Sequence, residues 1–193
     1  MISALILAAG ESKRMGTPKM LLPWGETTVL GQVIRVFNAA AINDVIVVTG
    51  GAREAVEQIA EASGARTVFN QDYASQEMLN SLQAGLHAMD PNAEAALIAL
   101  GDQPQIQENT VSVIVEKYVQ TGASLVVPSH RMHRGHPWLI ARNLWDALFR
   151  MRSPETPRDF LHQHAQQILH IELDTPTILQ DLDTLEDYLK SRQ

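Results

Sequence analysis

The sequence predicts an α/β protein built round a mostly parallel sheet. Apolar runs of strand length alternate with segments of helical periodicity, and several of those runs are apolar at nearly every position, as strands buried on both faces require. The expected strands cover 3–8, 44–49, 66–69, 95–100, 124–128, 137–140 and 168–173. The first belongs to an apolar run, 2–9, that has no Lys or Arg before it and is too short to span a bilayer. Between the strands, Val29, Leu30, Val33, Ile34 and Phe37 mark one side of a helix, as do Val111, Ile114, Val115, Tyr118 and Val119, and both stripes should face the sheet. A last helix is expected over 185–190, with Thr184 and Asp187 spaced as a capping box. The stretch 150–158, with Pro154 and Pro157, reads as a surface loop, and no linker divides residues 1–193, so one domain is expected.

Composition narrows the partners. With 45% hydrophobic and 19% charged residues the chain is an ordinary globular one, without low-complexity tracts or repeats. A net charge of -7 argues against a nucleic acid polymer, which is bound through clustered Lys and Arg, so any nucleotide partner is expected to be a monomer. Nothing in the pattern calls for a membrane. The absence of Cys excludes disulfides and thiolate metal sites and suits a cytoplasmic location.

The most informative segment follows the first strand: Leu7-Ala8-Ala9-Gly10, then Glu11-Ser12-Lys13-Arg14-Met15-Gly16-Thr17-Pro18-Lys19. Ligands of open parallel sheets sit beyond the carboxyl ends of the strands. Small residues there let main-chain N–H groups approach phosphate oxygens, and Arg14 and Lys19 can neutralise their charge. A Walker A loop fails on spacing, because five residues separate Gly10 from Gly16 and Lys19 comes later; a Gly-x-Gly-x-x-Gly dinucleotide fingerprint follows no strand. A Gly-containing surface turn with solvated cations is the plainer alternative. The strand 95–100 runs into Gly101-Asp102-Gln103-Pro104, which places a carboxylate at the sheet edge, either as a Mg²⁺ ligand or as a turn residue.

The run from Leu7 to Ser12, through Arg14-Met15-Gly16 to Lys19-Met20-Leu21-Leu22-Pro23, closely resembles the opening motif of the molybdenum cofactor nucleotidyltransferases. These belong with the sugar-nucleotide pyrophosphorylase-like enzymes. The resemblance implies a three-layer α/β/α sandwich with a Rossmann-like, mostly parallel sheet of the nucleotide-diphospho-sugar transferase type. It implies that the loop backbone at Leu7, Ala8, Ala9, Gly10 and Gly16, with Arg14 and Lys19, holds a triphosphate, and that Lys19 also steadies charge at the α-phosphorus. Asp102, with Gly101 beside it, becomes the Mg²⁺ carboxylate. Asp181-Leu182-Asp183-Thr184-Leu185-Glu186-Asp187 resembles the family's closing segment, which makes Asp183 the second metal ligand, with Asp181 or a plain helix cap as alternatives; Leu185 stands where the family usually has Pro. Met78-Leu79-Asn80-Ser81-Leu82 with Gly85 resembles a helix start whose Ser81 lies against the nucleobase, although Glu77 departs from the usual Gly. The plainer reading is an amphipathic helix with Met78, Leu82 and Leu86 in the core.

His130, His133 and His136 are spaced three apart, which suggests Zn²⁺, but on a loop that spacing fixes no ligand geometry and a solvated basic loop is commoner. Arg134-Gly135-His136-Pro137 resembles the family's acceptor-side motif, which points Arg134 and His136 at the acceptor. His162, His164 and His170 read as surface or packing residues. The resemblance thus implies a Mg²⁺-dependent cytidylyl transfer from CTP to molybdopterin with release of pyrophosphate; Ala9 is the residue typical of CTP-using members, where guanylyl-transferring relatives more often carry Gly. Transfer to a sugar phosphate or another phosphorylated metabolite is a second enzymatic reading. A reading of another class is a non-catalytic nucleotide- or cofactor-binding protein that delivers cofactor to a molybdoenzyme. The joint presence of Arg14, Lys19 and Asp102 counts against it.

Overall fold

The computed structural model describes residues 1–12, 15–75 and 77–192. Strand β1 (Ile2–Leu7) lies inside an eight-stranded sheet. The remaining strands are β2 (Pro23–Trp24), β3 (Thr27–Thr28), β4 (Val45–Thr49), β5 (Arg66–Phe69), β6 (Ala95–Leu100), β7 (Leu125–His130), β8 (His133–Arg134), β9 (Trp138–Ala141) and β10 (Ile168–Glu172). The order across the sheet is β10-β7-β9-β6-β1-β4-β5, with β8 paired to β7, while β2 and β3 form a separate hairpin. Pairs β1–β4, β1–β6, β4–β5 and β7–β10 are parallel. Strand β9 runs antiparallel to both β6 and β7, so the sheet is mixed though mostly parallel. The reason is length: only the turn and β8 separate β7 from β9, and a parallel return needs a crossover of a dozen or more residues.

Burial on both faces explains why the central strands read as continuous apolar runs. Along β1, Ala4 and Ile6 face one core layer while Leu5 and Leu7 face the other; β4 divides Val45 and Val47 from Ile46 and Val48 in the same way. Helices α1 (Val29–Ala39), α2 (Arg53–Ala62) and α4 (Glu108–Thr121) cover the first face. Helices α3 (Met78–His87), α5 (Trp145–Arg150) and α6 (Pro157–Gln163) cover the second. Helices on both faces of a mostly parallel sheet make the expected three layers.

The stripe on α1 is buried throughout. On α4 the expectation holds for Val111 and Ile114, which are buried, and for Val115 and Tyr118, which pack at the margin, but not for Val119, which is 70% exposed. On α3, Leu82 and Leu86 are core residues as expected, but Met78 is 43% exposed and Leu79 is buried in its place. Stretch 150–158 is shorter as a loop than its prolines suggest: Arg150 closes α5 and Pro157 opens α6 at the first turn, where proline's missing N–H costs nothing. Thr156 and Asp159 cap that helix reciprocally, and Thr184 and Asp187 cap α7 (Leu185–Ser191) as the sequence leads one to expect. Among the described residues no helix is long and apolar enough to cross a membrane.

Candidate active site

The site follows from the pairing of β1 with β6. Their register sets Leu7 against Leu100, so the segments that leave the two strands emerge side by side. The amide of Gly101 donates to the carbonyl of Leu7 at 2.9 Å, and Gly101 packs on Ala8 and Met20, which joins the two segments at their roots. Above them opens a cleft of about 380 Å³, floored by Leu7, Ala9 and Leu100.

One wall carries Lys19 and three aspartates, Asp102, Asp181 and Asp183. The short 3₁₀ turn Lys19–Leu21 buries Met20, and the amide of Lys19 donates to Ser12 Oγ at 3.1 Å, which closes the loop on itself. Lys19 Nζ donates to the carboxylate of Asp102 and lies 3.7 Å from Asp183 Oδ1. The Lys19 and Asp102 side chains are largely shielded, at 14% and 13% exposure, whereas Asp183 is open at 47%. The C-terminal segment reaches this wall through two fixed contacts: the amide of Leu182 donates to the carbonyl of Asp102 at 3.1 Å, and buried Gln103 donates from Nε2 to Asp181 Oδ1 at 2.5 Å. Asp181 also lines the cleft. Loss of hydration, with Asp102 and then Asp183 adding repulsion, raises its carboxyl above the usual range, while Gln103 and Lys19 oppose the rise.

The opposite wall is the start of α3, with Glu77, Met78 and Ser81, joined by Tyr73. Ser81 is buried and its Oγ accepts from Asn70 Nδ2 at 3.0 Å.

Of the residues singled out in the sequence, Leu7, Ala9, Gly10, Lys19, Ser81, Asp102 and Asp183 therefore share one cleft. Ala8, Gly16 and Gly101 do not line it, and Arg14 lies outside the described residues. Arg134 and His136 do not line the cleft. Arg134 is an exposed residue of β8, and the amide of His136 donates to the carbonyl of Ile178 at 3.0 Å. A Cβ on Gly135 would come within 2.3 Å of that same carbonyl. This segment thus braces the turn Pro176–Leu179, from which Asp181 and Asp183 follow. Burial, with the Arg158 cation adding to it, pushes the His136 imidazole down to about 4. Sequence reasoning missed Tyr73 and Glu77 as cleft residues, Asn70 as the partner of Ser81, and Gln103 as the tie to Asp181; a buried glutamine in a turn beside a carboxylate is the signal that could have found the last.

The histidines do not form a metal centre. His130 Nδ1 lies 2.8 Å from the carbonyl of Leu173, and His133 is exposed on β8. Among the described residues no three His, Asp or Glu side chains are disposed to hold an ion by themselves. The ammonium of Lys19 does lie against Asp102 and Asp183 together, so both carboxylates already face one cation position. Two carboxylates completed by phosphate oxygens and water are the donor set that Mg²⁺ takes in phosphoryl-transfer sites.

The chain resembles known proteins over nearly its full length. The chain is 29% identical to the molybdenum cofactor cytidylyltransferase of Escherichia coli over 195 residues, which cover 100% of this chain and 96% of that one. It is 30% identical to the nicotine blue oxidoreductase of Paenarthrobacter nicotinovorans, over 96% of this chain and 93% of the other. The crystal structure of Rv0371c from Mycobacterium tuberculosis superposes with a TM-score of 0.85 at 30% identity, covering 99% of this chain and 97% of that chain. A complex of that protein with manganese superposes with a TM-score of 0.76 at 28% identity, over 98% and 96%. Residues 4–168 match the family model of the MobA-like NTP transferase domain, and the chain belongs to that family.

Proposed function

We propose that the chain, acting as one domain over 1–193, moves CMP from CTP onto the phosphate of molybdopterin in a Mg²⁺-dependent reaction that releases pyrophosphate. The observation that carries this reading is the meeting of Lys19, Asp102 and Asp183 in one cleft at the carboxyl ends of β1 and β6. An oxygen of the acceptor phosphate attacks the α-phosphorus. A new P–O bond forms there as the bond to the bridging oxygen of the leaving pyrophosphate breaks, in line. An acceptor phosphate is already anionic at neutral pH, so the step needs no general base and no covalent enzyme intermediate.

The protein's part is to hold and to neutralise. Main-chain N–H groups of the loop that begins at Ala8 face the triphosphate, with Arg14 and Gly16 completing it. Lys19 donates to oxygens of the α- and β-phosphates, where negative charge grows in the transition state. Asp102 and Asp183, with Asp181 as the alternative second carboxylate, would hold Mg²⁺, which supplies Lewis-acid stabilisation of the same oxygens when bound. Ser81 takes the base. Arg134 and His136, which brace the turn before Asp181, act on the acceptor side by supporting that wall. The choice of CTP rests on Ala9, and the choice of acceptor on likeness to the first relative named above. We further infer a cytoplasmic location and supply of the product to a molybdoenzyme.

The test is pyrophosphate release by purified protein with Mg²⁺, molybdopterin and each nucleoside triphosphate in turn. Release with CTP that depends on molybdopterin is the expected result. Release with GTP but not CTP moves the reading to guanylyl transfer, and release only when a sugar phosphate replaces molybdopterin moves it to a sugar-phosphate acceptor; nucleotide binding without release with any acceptor moves it to a delivery protein. Redox turnover without release would favour the chemistry named for the second relative.

A further inference from the structure

The cleft straddles the edge of the sheet. Lys19 follows the layer of α1 through buried Met20, whereas Glu77, Met78 and Ser81 belong to the start of α3 on the other face. A nucleotide with its phosphates at Lys19 and Asp102 must therefore direct its base toward α3. Glu77 is the extended residue that caps the start of α3, Ser81 lies in the first turn of that helix, and both line the cleft. Their chemistry differs. The Ser81 oxygen already accepts from Asn70, so its proton is left to donate; a carboxylate can only accept. Glu77 is also held in place: its Oε1 accepts from Ser153 Oγ at 2.7 Å, in the connection between α5 and α6, while among the described residues Oε2 has no hydrogen bond.

A donor and an acceptor lining the same cleft match one pyrimidine edge. Cytosine offers ring acceptors next to an exocyclic amino group, whereas uracil carries a carbonyl oxygen at that position, which a carboxylate repels. We propose that Glu77 is a specificity-determining residue, whose carboxylate accepts from the amino group of a cytosine base and rejects uracil. This rests on the cytidylyl-transfer reading and deepens it by naming a residue that reads the base. Glycine in that place would leave the base edge without this acceptor.

Equilibrium titration of CTP, UTP and GTP with Mg²⁺ into the full chain, by calorimetry, tests it on wild type, Glu77→Gln and Glu77→Ala. Wild type should bind CTP about tenfold or more tighter than UTP, the range expected for a hydrogen bond to a charged group. Glu77→Gln should bring the two within about twofold, because an amide can present either its oxygen or its NH₂. Glu77→Ala should weaken CTP by about tenfold and leave UTP within about twofold. The glutamine variant preserves shape, and unaltered pyrophosphate affinity with Mg²⁺ and melting temperature in either variant show that the cleft is intact. An unchanged CTP-to-UTP ratio, or equal losses for both pyrimidines, overturns the assignment of Glu77 alone. Tighter wild-type binding of UTP or GTP than of CTP also overturns it. Wild-type protein that binds no nucleotide overturns the parent reading and this inference together.

Discussion

Lys19 holds the charged wall together before any substrate arrives, because its ammonium meets Asp102 and Asp183 at once. Its replacement separates two consequences. Lys19→Met keeps most of the aliphatic stem that follows Met20 into the wall but removes the charge. Pyrophosphate release should fall by about a hundred- to a thousandfold, the usual cost of one preorganised charge stabiliser, while CTP still binds. A variant within threefold of wild type in kcat would remove Lys19 from the chemistry. His136 allows a prediction about pH. The unfolded chain takes up a proton on this side chain near pH 6.5, but the folded chain does so only near 4, since burial and Arg158 both disfavour the cation. A base whose folded value is depressed favours folding fully above pH 6.5, and that contribution is lost as pH falls from 6.5 toward 4. The loss is about 3 kcal/mol at most. Urea denaturation at pH 7.5 and at pH 4.5 should show a steeper acid loss in wild type than in His136→Gln; equal slopes would contradict it.

Helix α3 is set against β1 so closely that Gly85 has no room for a side chain. A Cβ there would stand 2.2 Å from Leu5 Cδ1, and Leu5 is fully buried. Gly85→Ala should therefore cost about 1–3 kcal/mol of stability in urea denaturation, the range for overpacking a core. Because α3 also carries Ser81 and begins directly after Glu77, nucleotide affinity should fall with it; a neutral substitution would mean that the helix can shift freely. The segment of β8 and the turn Pro176–Leu179 meet with the same tightness at Gly135. Gly135→Ala should displace that turn and with it Asp183, weakening Mn²⁺ binding measured by water proton relaxation by about tenfold or more, the effect typical of losing a support for a metal ligand. Unchanged affinity would show that the bracing is dispensable.

Across the molecule, what the sequence revealed is what burial writes into it. Strands enclosed on both faces leave runs such as Ala95–Leu100 with no polar residue, and their positions are readable within a residue or two. The reversed direction of β9 leaves no mark in its own residues and shows only in the short connection from β7. Helix α2 escaped notice because Val56 and Ala60 are its only buried residues, and the hairpin of β2 and β3 has two residues to a strand. For the site, small residues and charges at a strand end marked the loop after β1 as one of two readings, and the family resemblance, not the local pattern, singled out Asp102 over a plain turn residue. Glu77 and Tyr73 were not recognised as parts of the cleft, because only folding brings α3 over the opposite wall from Lys19. The account stands or falls on whether Asp102, Asp183 and Lys19 share one ion and one triphosphate. A crystal structure of the full chain with Mn²⁺ and a non-hydrolysable CTP analogue measures this directly, through the anomalous signal of the metal. The account predicts the peak at about 2.0–2.3 Å from carboxylate oxygens of both Asp102 and Asp183, with Lys19 Nζ turned to the phosphates; a peak bound elsewhere, or a triphosphate lying away from Lys19, would contradict it.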